Sequence, residues 1–140
     1  CHTGNGAAAL EELDIFEQRG VAGSALIWVH AQNEENTDIH LEAAERGMWV
    51  EFDGVRPGRI QEMLNFVNTM RDAGYLDQVL LSHDAGWYSV GEEDGGDFRN
   101  YNLLFTDFIP ALEGAGYTQA EIDGMIIDNP RRALTVEVRA

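Results

Sequence analysis

The chain has 140 residues, 44% of them hydrophobic, a size and composition that suit one folded domain and not a disordered tail. Its 25 acidic residues against 9 basic ones give a formal charge of −16, a field that repels phosphate backbones and anionic bilayers and so predicts neither a nucleic-acid nor a membrane partner. No segment has the roughly 18–20 unbroken apolar residues of a membrane span, the single cysteine, Cys1, excludes an internal disulfide, and every basic residue is arginine, with no lysine in the chain.

In chain order, Ala7 to Arg19 sets Leu10, Leu13, Ile15 and Phe16 among carboxylates at helical spacing, with Gly20 as its stop. Ala25 to Val29, "ALIWV", is an apolar run of strand length. Thr37 or Asp38 is placed to cap a helix ending at Arg46–Gly47. Met48 to Phe52, "MWVEF", reads as a second strand. Pro57 suits the first turn of a helix reaching Ala73, and Val79 to Leu81 forms the next strand core. A long loop, Asp84 to Arg99, leads to a helix from Tyr101 to Ala115. Thr118 and Glu121 have capping-box spacing, and Asn129-Pro130 reads as the cap and first position of a last helical turn.

Buried strands alternating with amphipathic helices predict an α/β domain with a parallel sheet. The pattern leaves an open doubly wound sheet and a barrel both standing. No GxGxxG or GxxxxGK[ST] follows a strand, so dinucleotide and nucleoside triphosphate binding have no support in the sequence.

In such folds, sites gather at the carboxyl ends of the strands. His30 follows the first run directly, Asp53 follows the second, and Asp84 lies just past the third. His2 stands before the first helix as a strand-end residue would. Two histidines and two carboxylates thus face one rim, a donor set suited to zinc or a similar divalent ion. Each also has a plainer reading. His30 can serve as a hydrogen-bonding residue, His2 as an exposed one, and Asp53 and Asp84 as caps of the loops they begin. His40 reads as helix surface. His83 should point away from Asp84, into the second shell or the packing. Trp28 and Trp49 read as core, and Trp87 and Tyr88 as a pocket wall. "GEEDGGDFR" reads as a solvated mobile loop, its spacing failing the calcium-loop pattern.

"CHTGNG", "WVHAQNE", "VEFDGV", "LLSHDAGWY" and "MIIDNPRRAL" occur in the order in which the carboxyl-terminal half of the phosphotriesterase-like proteins carries such motifs. The chain therefore resembles that family of the amidohydrolase superfamily over essentially its whole length. The resemblance implies a (β/α)8 TIM-type barrel of which residues 1–140 form a single partial domain carrying the ends of strands five to eight. It implies two divalent metals, usually zinc. His2 and His30 would hold the more exposed ion. Asp84 would hold the more buried one and take the proton as a bridging hydroxide attacks. Asp53 has a supporting or substrate-side role, and Trp87 and Tyr88 open the loop that helps set the substrate, a small phosphoester, lactone or other ester.

Two departures accompany the resemblance. A complete barrel takes about 250 residues, and the family's HxH pair and bridging lysine are absent from this chain. They would have to come from an N-terminal half or another chain, and an exposed half-barrel invites a homo-oligomer. The family's proton relay also places a histidine and an aspartate where Gly54 and Asn33 stand here, which turns the reading from triesters toward lactones and other esters. A mononuclear site of His2, His30 and Asp84, and a non-catalytic fragment or assembly subunit, are the alternatives.

Overall fold

The computed structural model describes residues 1–97 and 99–139. Three parallel strands, β1 (Ile27–Trp28), β2 (Trp49–Phe52) and β3 (Val79–Leu81), lie side by side in the order β1-β2-β3. A parallel bridge from His2 to Val29 adds the first residues beside β1. It is held by the Cys1 amino group donating to the Ile27 carbonyl at 2.8 Å and by the Val29 N–H donating to the Cys1 carbonyl at 2.9 Å. Neighbours in space are therefore neighbours in sequence. A doubly wound sheet reverses its strand order at a switch point; this one does not, and it follows the progression of a barrel wall.

The helices are α1 (Gly6–Glu17), α2 (Thr37–Glu45), α3 (Ile60–Asp72), α4 (Ile109–Gly114), α5 (Gln119–Asp123) and α6 (Asn129–Leu134). Their ends differ from the sequence expectation in instructive ways. Asn36, not Thr37 or Asp38, caps α2, its side chain accepting the Asp38 N–H. Pro57 lies in a turn completed by Gly58 at φ 81°, so α3 starts three residues later than expected. Pro110 and Pro130 are each preceded by a π-helical segment, Leu104–Phe108 and Gly124–Asp128. A proline gives no N–H to the carbonyl four residues back and crowds it, which accounts for the widened turn ahead of each. Asn129 accordingly lies inside continuous helix and is not a cap. Its buried amide donates to the carbonyls of Leu76 (3.0 Å) and Val79 (2.8 Å), fastening α6 to the start of β3. The Thr118–Glu121 capping box forms as predicted.

Trp28, Val50, Phe52 and Val79 are fully buried against Leu13, Met63, Val67 and Met70 from the helices. Trp49 is buried as well, with the Arg132 guanidinium over its ring. His40 corrects the expectation of a surface position. It is 1% exposed, among the rings of Trp28, Phe52 and Phe66, and its Nε2–H donates to the Ala31 carbonyl at 2.8 Å. Burial lowers its pKa and keeps the ring neutral. His40, Ala43 and Ala44 make the buried face of α2, so the histidine holds a core position and ties the helix to the turn that follows His30.

Candidate metal centre

The carboxyl ends of the strands bring the histidine candidates together. The Nε2 atoms of His2 and His30 lie 2.8 Å apart, their rings nearly perpendicular. The bridge at Val29 sets this pair, since it places His2 one strand over from the residue that follows Val29. His30 leaves its strand in the left-handed region at φ 64°, as does Asp84 at φ 42°. Such a conformation costs a side-chain-bearing residue about 1–3 kcal/mol and concentrates at functional sites.

Asp53 orients His30. Its buried Oδ2 meets His30 Nδ1 at 2.7 Å and accepts the His30 backbone N–H at 3.0 Å. Gln32 donates to Oδ1 at 2.5 Å and accepts the Asp53 backbone N–H at 3.1 Å. With Nδ1–H committed to Asp53, a neutral His30 directs the lone pair of Nε2 toward His2. The hydrogen bond to Asp53 raises the His30 pKa; burial opposes it, and the charges of Asp53, Asp84 and Glu51 reinforce it. Asp53 thus turns its carboxylate to His30 and Gln32.

Asp84 is exposed and lines a cavity of about 190 Å³ with His30, Asn33, Asp53 and Gly54. Its backbone carbonyl accepts the indole N–H of Trp87 and a guanidinium N–H of Arg99. His83 accepts the Leu104 backbone N–H on Nε2 at 2.8 Å, which closes the loop between them at its base. Burial and the nearby Arg99 lower the His83 pKa. Trp87 and Tyr88 are 66% and 70% exposed and are not among the residues lining the cavity. Gly95 packs so closely on Tyr88 that an added Cβ would lie 2.3 Å from the ring. Asn33 is exposed on the cavity rim and packs against Gly4. Gly54 is closely packed: a Cβ there would meet Met63 Sδ at 3.0 Å and Gln32 Cγ at 3.1 Å, so both side chains would have to give by a few tenths of an ångström.

Sequence reasoning missed several members. Arg56, Arg59 and Arg99 line the same cavity; the signal for the first two was "DGVRPGR" directly after a strand end, while Arg99 ends the "GEEDGGDFR" loop. Gln32 gave none. Glu51 was visible as the one acid inside an apolar strand. Burial raises its pKa, and the Ser82 hydroxyl donates to it at 2.8 Å. A larger cleft, about 390 Å³, lies at the opposite ends of the strands beside Ser24 and Trp49, away from all the expected site residues.

In type, the donors suit a divalent cation: two imidazole nitrogens 2.8 Å apart, one of them on a ring backed by a carboxylate as metal-bound histidines usually are. In number they fall short. Among the described residues no group of three or more His, Cys, Asp or Glu stands close enough to hold an ion, so the mononuclear set of His2, His30 and Asp84 is not assembled by this chain alone.

Comparison with known proteins agrees with the motifs. The sequence model of the phosphotriesterase family matches residues 1–134. A phosphotriesterase homology protein of Escherichia coli is 31% identical over 132 residues, which cover 92% of this chain and 44% of that protein. Its crystal structure, with phosphate in the active site, superposes with a TM-score of 0.77 at 29% identity, over 92% of this chain and 45% of that one. An N-acetyltaurine hydrolase of Dictyostelium discoideum is 26% identical over 92% of this chain and 38% of its own. A lactonase of Listeria monocytogenes shares the fold, with a TM-score of 0.80 at 21% identity over 97% of this chain and 44% of that one. These structural neighbours are phosphotriesterase-like TIM barrel enzymes, and the chain spans less than half the length of each of these relatives. With the match running through every strand and both rim histidines, this chain belongs to the phosphotriesterase family.

Proposed function

We propose that the chain contributes the His2–His30 face and Asp84 to a metal-dependent hydrolase of an ester, lactone or phosphoester. The observation that carries this reading is the convergence of His2 and His30 at 2.8 Å, with Asp53 fixing the second ring. His2 and His30 would hold a divalent ion such as zinc through Nε2, and Asp84 would hold a second. A bound ion of this kind lowers the pKa of its water to about 7 and polarises the oxygen under attack. Asp53 and Gln32 keep His30 in its ligating tautomer. Asp84, on the cavity wall, takes up the proton released during attack, and the loop beginning with Trp87 and Tyr88 bounds the substrate.

The remaining ligands come from polypeptide beyond these residues, either the other half of a (β/α)8 barrel or a second copy of the chain. The sequential strand order, the family match and the coverage of under half of each relative support this half-barrel reading. A second reading, an assembly subunit without catalysis, is favoured by the short ligand set.

Hydrolysis of lactone and carboxylic and phosphoric ester substrates by the purified chain with Zn²⁺ or Mn²⁺ separates the two. A rate that falls by about a hundredfold or more in Asp84→Asn, the usual worth of a positioned general base, supports the hydrolase. Equal or absent rates in both proteins overturn it for this chain.

A further inference from the structure

The cavity beside His30 and Asp84 is lined by Arg56, Arg59 and Arg99, a third of the nine basic residues in a chain of charge −16. Arg59 is neutralised by Glu62, with two contacts of 2.5 and 2.6 Å. Arg56 and Arg99 are different. Among the described residues neither has a carboxylate within ion-pair distance, although 25 acids were available. Arg99 donates to the Asp84 carbonyl, and a carbonyl neutralises no charge. Arg56 is exposed at the mouth. Of the two acids in the wall, Asp53 is engaged by His30 and Gln32, and Asp84 forms no ion pair with either arginine among the described residues.

From this we infer that the substrate carries a small anionic group, a carboxylate, sulfonate or phosphate, held by Arg56 and Arg99 while the bond to be cleaved faces His30 and Asp84. The planar guanidinium fork matches two oxygens of such a group. The volume of about 190 Å³ suits a group of a few heavy atoms, below the range of pockets for larger ligands. In a chain whose overall field repels anions, two guanidinium-bearing residues that line one cavity without an ion pair make a local selector. The inference rests on the reading of this rim as the substrate site.

The test is calorimetric titration of the 140-residue chain, without added metal, with inorganic phosphate, methanesulfonate, acetate and neutral trimethyl phosphate. Binding of at least one anion, and none of the neutral ester, is expected. That binding should weaken at least about tenfold in Arg56→Gln and in Arg99→Gln, the worth of one charge-assisted hydrogen bond, and be unchanged in Arg19→Gln, an exposed arginine in the turn after α1 that does not line the cavity. Since Arg99→Gln also loosens the loop, Arg56→Gln is the deciding variant. Equal binding by wild type and Arg56→Gln, or no anion binding at all, overturns the inference. Anion binding in a chain that hydrolyses nothing would support it while sinking the hydrolase reading; turnover of neutral lactones without anion binding would do the reverse.

Discussion

Asp53 Oδ2 meets His30 twice, at the ring Nδ1 (2.7 Å) and at the backbone N–H (3.0 Å). One carboxylate oxygen thereby fixes both the turn at the strand end and the tautomer of the ring. Outer carboxylates of this kind are worth about 10–100-fold in metal affinity. Asp53→Asn should therefore weaken Zn²⁺ binding by that factor, measured by chelator competition, and lower the His30 pKa in an NMR titration. Unchanged affinity would detach Asp53 from the metal site.

Gly54 stands where the family resemblance would put a relay histidine, and an added Cβ there would press on Met63 and Gln32. Gly54→His should not install a relay. It should push Met63 and Gln32 aside, costing about 1–3 kcal/mol in urea unfolding as overpacked cores do, and disturb Asp53 through Gln32. A variant as stable as wild type would show that the helix α3 side yields more readily than its packing suggests.

His40 makes stability depend on pH. Its folded pKa is held below the ordinary value by burial, so on acidification the unfolded chain takes up the proton first. The neutral ring's contribution is present in full above about pH 6.5 and is lost as pH falls toward the folded value. Denaturation midpoints should fall with pH in that window. His40→Gln, which keeps a donor for the Ala31 carbonyl and removes the proton-binding group, should flatten this part of the profile.

Asn129→Ala removes both donors to the Leu76 and Val79 carbonyls. The Leu76 carbonyl keeps the Val79 N–H, so the main loss is at the buried Val79 carbonyl, about 1–3 kcal/mol for an acceptor deprived of its donor, against about 1 kcal/mol for the loss of a helix cap. Guanidinium unfolding distinguishes the two: a loss near the cap value would restore the simpler role.

The rim was legible from the sequence because strand ends are short, apolar runs stop abruptly, and His30, Asp53 and Asp84 each sit at such a stop. Their partners were less so. Asn36 and Thr37 compete for one cap, and side-chain geometry decides between neighbours that composition treats alike. Pro130 correctly marked a helix but misplaced its start, since a π turn carries the chain into it. His40 lies at the spacing of Ala43 and Ala44, a buried stripe whose polar member disguised it. Arg56 and Arg99 sit outside regular elements, where no periodicity shows which way a side chain turns.

The bond from Leu104 N–H to His83 Nε2 has an architectural consequence. A loop cinched at its base can be exchanged as a cassette, because the scaffold senses only the distance between its two ends. Closure entropy rises only with the logarithm of length, so insertions around Gly91 would cost the barrel wall little. New specificities could then be tried above the rim while His30 and Asp53 stay in register beneath it.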